Sequence, residues 1–417
     1  MAEEERSTWK SKFKAMGPGI LMASAAVGGS HIVSSTQAGA IYGWQLAIIV
    51  LLVNLFKYPF FRFGSQYTLQ NNKSLIEGYK EKGKFYLWVF FIMNIFSAVV
   101  NTAAVGILAA AILYNIFPNG FGLSISQLTT ALIIVTLAML LIGGYRFLDG
   151  LSKWVMTALT LATTLAVVIA LFKHREYAPD FTAPSPWQLT ALPFIVSLMG
   201  WMPAPIEISA INSMWTVEKR KTAKVSLTDG IFDFNVGYIG TAVLAFIFLA
   251  LGALIQFGSG QQVKSASAAY IAQFINMYES SFGAWSRLLI AFIAFLCIFG
   301  TTITVIDGYS RANNETMRLL FGRKEASQKA LNVWMVFTSI IGIIIVLLFT
   351  GDVATLMRFA MIASFLTTPV YAYLNYSLVN NKEHKLSVWL NWLSIFGLIY
   401  LAGFALFFLV YITGLLS

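Results

Sequence analysis

Gly28-Gly29-Ser30-His31 and Met202-Pro203-Ala204-Pro205 are the two places where residue type and spacing point to chemistry. Each interrupts an apolar run, the first starting at Gly17 and the second near Trp187. A helix cannot pass through such sequences without losing backbone hydrogen bonds. Bilayer hydrocarbon holds no water to replace them, so a break of this kind has to line a cavity inside the protein. Gly28-Gly29-Ser30 is expected to present free amide N–H groups at the positive end of the half-helix that follows. Pro203 and Pro205 are expected in the first turn of the second half-helix, where a missing N–H costs little. Two half-helix N-termini with no acid at the first break suit an anion, or the carboxylate end of a zwitterion. Glu207, two residues past the second break, is an intramembrane carboxylate and needs a partner. Lys57 is the candidate partner. A protonated Glu207 carrying a coupling proton is the other reading, and a carboxylate serving only the helix dipole is a third. His31 is a candidate for a substrate hydrogen bond or a coupling proton, because an imidazole changes charge near neutral pH. Ser30 can join it, or bond its own backbone.

The elements that must hold these residues are apolar segments. The chain has 417 residues, 58% hydrophobic and 11% charged. Its mean hydropathy is +0.73. A soluble domain carries about 25% charged residues, so the composition is that of a polytopic membrane protein of all-α class. Eleven segments reach the roughly 20 residues a span needs: 17–42, 44–67, 85–115, 126–144, 148–172, 187–215, 231–256, 284–307, 331–349, 354–379 and 387–415. With the N-terminus inside, the inner segments carry 20 of the 28 Lys and Arg. That bias sets the N-terminus in the cytoplasm and the C-terminus outside, in an inner or plasma membrane. Residues 1–16 read as a cytoplasmic amphipathic segment with Trp9, Phe13 and Met16 on its apolar side. Residues 17–172 and 187–379 read as two five-helix repeats of opposite topology, each opening with a broken helix, and 387–415 as one added helix. The outer stretch 257–283 carries a helical pattern (Ala269, Ile271, Phe274, Ile275, Tyr278) that would lie across the surface as a cap.

The net charge of +10 sits in short loops between spans, so it does not indicate nucleic acid. The single cysteine, Cys297, excludes an internal disulfide framework and any cysteine-based metal site. No phosphate loop, zinc-helix motif or G-x-S-x-G elbow is present, and nothing in the sequence suggests an enzyme.

The stretch GPGILMASAAVGGSHIVSSTQAGAIYG resembles the first helix of the Nramp family of divalent-metal transporters. Gly17-Pro18, Leu21, Gln37 and Gly39 keep that family's frame, and Met202-Pro203-Ala204-Pro205 matches its Met-Pro-His-Asn motif. The resemblance implies a LeuT-type fold: ten helices in two inverted halves, plus one. The departures fall on the metal ligands. In frame, the family's Asp-Pro-Gly-Asn places Gly28, Gly29 and His31 where it has Asp, Pro and Asn, so that only Met202 is kept. Its two histidines of the sixth helix are Ala204 and Ser209, and the third span has no carboxylate. Hard divalent ions need anionic oxygens, and a Mn or Fe site draws on carboxylate and imidazole, so no metal site is assigned. By the same resemblance, Thr301 or Thr302 with carbonyls near Ala26 would form a sodium site, though threonines in membrane helices commonly bond the preceding turn. Gln37 is a gating candidate. Asn101, Thr102 and Trp201 either face the cavity or pack.

The sequence therefore describes a secondary transporter with a rebuilt site for a small anion or zwitterion: bicarbonate, a small carboxylate or an amino acid. The first rival is a divalent-cation carrier for Mn, Fe or a hydrated Mg-like ion that meets Met202, His31, Glu207 and carbonyls. A channel is a second, and a non-transporting sensor a third. No cofactor is expected. A proton or sodium is the candidate coupling ion, the lipid bilayer is the surrounding partner, and the chain is expected to work as a monomer.

Overall fold

Residues 8–143, 146–174, 177–264, 268–349, 352–380 and 385–415 are described by a computed structural model. Of the positively charged positions counted above, Arg6, Arg175 and Lys382 fall outside them. Among the described residues the regular structure is all helical. It begins with α1 (Trp9–Ala15), opened by a Thr8/Ser11 capping box. A first broken segment follows: α2 (Pro18–Ala26), a π-helical turn over Ser30–Ser35, and α3 (Thr36–Tyr42). Next come α4 (Ala47–Asn71), α5 (Leu75–Lys82), α6 (Lys84–Ile116), α7 (Ile125–Ile142) and α8 (Arg146–Phe172). The second broken segment is α9 (Leu192–Trp201) and α10 (Ile208–Thr222). The remainder is α11 (Leu227–Ile255), α12 (Ala268–Phe282), α13 (Ser286–Leu320), α14 (Gln328–Leu348), α15 (Val353–Val379) and α16 (Val388–Ile412).

Among the described residues, nine unbroken helices are long and apolar enough to cross a bilayer. They expose large apolar side chains on their outer faces: Phe172 is 86% exposed, Ile142 83% and Leu348 76%. Water would penalise that much apolar area, whereas lipid does not. In the apolar stretch of each helix, 89% is buried in α6 and 22% in α16, so α6 is the central pillar and α16 lies at the rim. Around α6 pack α13, α14, α7 and α15, while α11 lies along both halves of the first broken segment.

That last contact is backbone against backbone. A Cβ on Gly39 would stand 1.9 Å from the Leu249 carbonyl oxygen, and one on Gly252 2.0 Å from that of Thr36. Gly19 and Gly237 meet in the same way at the other end, with a Cβ on Gly237 falling 2.1 Å from the Gly19 oxygen. Small residues of this kind allow membrane helices to approach closely. The two halves of the first segment are thus both fixed to α11, across the break. Asp233 on α11 also caps α2 from outside, accepting from the Gly17 amide at 3.0 Å and the Gly19 amide at 2.7 Å. Those are first-turn donors with no partner inside their own helix.

Two expectations are corrected here. Span eight does not end at 307: α13 runs on to Leu320. Charged residues that read as a loop continue the helix through i,i+4 and i,i+3 ion pairs, Arg311–Asp307 at 2.7 Å and Arg318–Glu315 at 2.6 Å. And Pro203 and Pro205 are not in a first helical turn, because α10 starts only at Ile208. Each proline disfavours the helical region for the residue before it, which keeps Met202 (φ −92°, ψ 123°) extended. The helical pattern within 257–283 forms α12, with Tyr270, Ile271, Phe274, Ile275 and Tyr278 buried. Its Tyr270 hydroxyl donates to Thr36 Oγ1 at 2.5 Å. In α1, Trp9 and Phe13 are each 67% exposed, and the Lys12 ammonium lies 4.8 Å from the Trp9 ring centre.

Candidate functional site

The first break is narrow. After Ala26 only Val27 (φ −74°, ψ 94°) and Gly28 leave the helix, and Gly29 is helical again (φ −55°, ψ −35°). The Gly28 carbonyl accepts from the amides of His31 at 3.1 Å and Ile32 at 2.9 Å. Gly29 and Ser30 are therefore first-turn residues, whose amides a helix leaves without internal acceptors. The second break is wider, from Met202 to Glu207. Here the first amides of α10 are partly taken: Ile208, Ser209 and Ala210 donate to the carbonyls of Pro205, Ile206 and Glu207 at 2.9–3.1 Å. The positive end that stays open is thus that of the first break, not both.

Between the breaks lies a cavity of about 40 Å³, room for about three water molecules. Its walls are Gly28, Gly29 and Ser30 from the first break, Ala204 and Pro205 from the second, and Ala25, Ala26, Trp201 and Ile208 flanking them. Asn101 and Val105 of α6 and Thr301, Val305 and Tyr309 of α13 complete it. No carboxylate and no histidine is in that wall. Trp201 is fixed by a 3.1 Å bond from Nε1 to Ser364 Oγ, and its ring fills the space a Cβ on Gly29 would need.

His31, Met202 and Pro203, expected beside substrate, are buried but do not line this cavity. The His31 ring is turned to α11, with Nε2 donating to the Thr241 carbonyl at 3.0 Å and Nδ1 2.7 Å from Ser30 Oγ. Thr102 faces α14 beside Gly342. Gln37 lies further out and donates to the Lys264 carbonyl at 3.0 Å. Thr301 and Thr302 bond back to the carbonyls of Cys297 at 3.1 Å and Ile298 at 3.0 Å. Of the carbonyls expected to join them, Val27 accepts from Cys297 Sγ at 3.2 Å, and that of Ala26 has Ser30 Oγ 3.1 Å away.

Lys57 and Glu207 are both fully buried and feel one another's charge, but no direct ion pair joins them. The Lys57 ammonium donates to the carbonyls of Met199 at 2.6 Å, Gly200 at 3.0 Å and Ala204 at 3.5 Å. The α9 terminus, rather than the carboxylate, is its partner, because that terminus gathers unpaired carbonyls at its negative end. Glu207 accepts from the Tyr309 hydroxyl at 3.0 Å through Oε1, and the Ser97 hydroxyl also acts on its buried carboxyl. Asn101 Nδ2 in turn donates to Tyr309 Oη at 3.1 Å. A hydrogen-bonded line therefore runs from the cavity wall to Glu207. Tyr309 was missed by sequence reading because it lies in the part of α13 taken for a loop. The helical spacing of Asp307, Ser310, Asn313 and Asn314 was the available signal.

Two larger cavities flank the centre and share no lining residue with it. One, about 120 Å³, is bounded by Ser34 and Gln37 of the first segment, Ser197, Lys264 and Arg358, among others, and by no acid. Asp352, at the start of α15, lies close enough for Arg358 to act on it. Its carboxyl is held below the usual range, chiefly by the Thr355 hydroxyl and amide. Arg358 was legible as the one basic residue within 354–379. The other cavity, about 520 Å³, lies between α5, α10 and α13 and mixes Glu77, Glu218 and Glu315 with Lys221, Arg311 and Arg318. Among the described residues, no group of three or more His, Cys, Asp or Glu could hold a metal ion.

Residues 19–411 match the family described as natural resistance-associated macrophage protein-like. An uncharacterized protein of Pasteurella multocida (strain Pm70) is 59% identical over 99% of this chain and 96% of its own length. A crystallised mutant of the Eremococcus coleocola manganese transporter superposes with a TM-score of 0.75 at 15% identity, over 97% of this chain and 87% of that one. MhsT in complex with L-phenylalanine superposes with a TM-score of 0.63 at 15% identity, over 94% and 97%. These neighbours share the LeuT-type fold.

Proposed function

This chain belongs to the natural resistance-associated macrophage protein-like family of membrane transporters, and on that premise we propose that it is a secondary carrier for a small anion or zwitterion. The observation that carries the reading is the wall of the central cavity, which offers Gly29 and Ser30 at a positive helix end and no carboxylate. A desolvated dication there would meet amide hydrogens and no anionic ligand, which hard cations require. A carboxylate or bicarbonate would meet donors already in place. The fold leaves the sign of the substrate open, since its neighbours include both a manganese transporter and a protein crystallised with an amino acid. The cavity volume favours a solute of few heavy atoms, so bicarbonate or a small carboxylate stands ahead of a bulky amino acid.

The flanking cavities support a carrier over a channel, because neither is continuous with the centre. With the N-terminus in the cytoplasm, Lys264 and Arg358 line the outer mouth, where positive charge raises the local concentration of anions. Glu207, reached from the cavity through Asn101 and Tyr309, is assigned the coupling proton. Thr301 and Thr302, bonded to their own helix, support a proton rather than sodium. Gln37, tied to the 257–264 loop, is assigned to the outer gate. A divalent-cation carrier remains the rival, on the strength of the family.

Parallel uptake into proteoliposomes tests this. Saturable flux of labelled bicarbonate, acetate or a small amino acid is expected, driven by a pH gradient and indifferent to sodium. Selective, saturable uptake of Mn²⁺ or Mg²⁺ with no anion flux rejects it.

A further inference from the structure

We propose that Lys57 is a tethered cation: its ammonium fills the carbonyl site that the break after α9 would otherwise offer to a free metal or sodium ion. Carriers with broken helices use unwound carbonyls and half-helix C-termini to coordinate cations. In this chain those groups exist, as the carbonyls of Met199, Gly200 and Ala204, and all three converge on Lys57 Nζ within 3.5 Å. An ammonium has three N–H donors and no acceptor, so donors and carbonyls match in number. Its charge stands at the negative end of the α9 dipole. Lys57 is fully buried, on the unbroken helix α4, and forms no ion pair with a carboxylate among the described residues. A lysine kept only for packing would be expected to direct its head to water or to an acid.

The other break points the same way. At the C-terminal end of α2 the Val27 carbonyl accepts from Cys297 Sγ, and Ser30 Oγ lies 3.1 Å from the Ala26 carbonyl. Both negative half-helix ends are closed by side chains of the chain itself. Ala204, whose carbonyl Lys57 reaches, also lines the central cavity, so the Lys57 head stands one residue behind the cavity wall. The inference rests on the chain being a carrier with broken helices, and only its consequence, a lasting preference for negative solutes, rests on the anion reading.

The test is thermal unfolding of the purified full-length protein in choline, sodium, potassium, ammonium or methylammonium chloride. Lys57→Ala opens the space and the carbonyls, while Lys57→Met fills the space with a neutral chain. The wild type is expected to be indifferent to the cation. Lys57→Ala should lose stability and regain roughly half of the lost Tm with ammonium or methylammonium, saturably, since a ligand of the native state alone stabilises by mass action. Lys57→Met should not respond. A Lys57→Ala protein that no cation restores overturns the proposal. If neither variant folds, the wild type decides: indifference to sodium and potassium agrees, and saturable stabilisation by either overturns it. Failure of the anion reading would show separately, as divalent-metal flux through the wild type.

Discussion

Gly28→Asp is expected to cut uptake of the transported anion about a thousandfold. The substitution supplies the acid that the resemblance of the first segment to the Nramp first helix places in this frame. A Cβ at Gly28 meets Thr301 Oγ1 at 3.2 Å and nothing nearer, and the backbone there is not in the left-handed region, so the side chain fits with a small adjustment. Its carboxylate would then lie in the wall of the cavity. Two like charges about 4 Å apart at an effective dielectric constant near 20 repel by about 4 kcal/mol, and each 1.4 kcal/mol is about tenfold in rate or affinity. Gly28→Asn, of the same size and uncharged, isolates the charge and should retain most of the flux. Initial rates of both variants in proteoliposomes check this. Equal losses in the two would show that volume, not charge, decides what enters.

Glu207→Gln is expected to abolish accumulation driven by a pH gradient while leaving exchange of internal for external substrate. Glutamine keeps the shape of the side chain and an acceptor for the Tyr309 hydroxyl, but cannot take up a proton. One coupled proton can sustain about tenfold accumulation per pH unit, so at a two-unit gradient the difference is about a hundredfold. Tyr309→Phe removes the link between Asn101 and Glu207 and should slow the same process. The double variant should be no worse than Glu207→Gln alone, the non-additivity of groups in one line. Accumulation by Glu207→Gln at the wild-type level would remove the carboxyl from the coupling step.

Much of this architecture was legible because lipid imposes it. An apolar run of span length must become a helix, and only a break inside such a run needs explaining, which is why Gly28–His31 and Met202–Pro205 stood out. Less legible was which way a side chain faces once the helix stops being regular. The π-helical turn at Ser30–Ser35 rotates His31 onto α11, away from the cavity, and a frame read along the sequence does not contain that rotation. Lys57 was recognisable as a buried charge. Its partners were not, because three backbone carbonyls leave no trace in the identity of Met199, Gly200 or Ala204. Tyr309 was hidden by a charge: Asp307 read as the end of a span, whereas the i,i+4 pair with Arg311 carries α13 onward. The glycines that fix the first segment to α11 lie more than 200 residues apart, as with Gly39 and Gly252, and only packing shows that they meet.

Anomalous diffraction from crystals grown in parallel with bromoacetate and with Mn²⁺ would show which sign of charge the pocket between the breaks accepts. A bromine peak is expected in the cavity between Gly28–Ser30 and Ala204–Pro205, and no manganese peak there. A manganese peak at the breaks, against Met202 and His31 or the half-helix carbonyls, would contradict the anion reading.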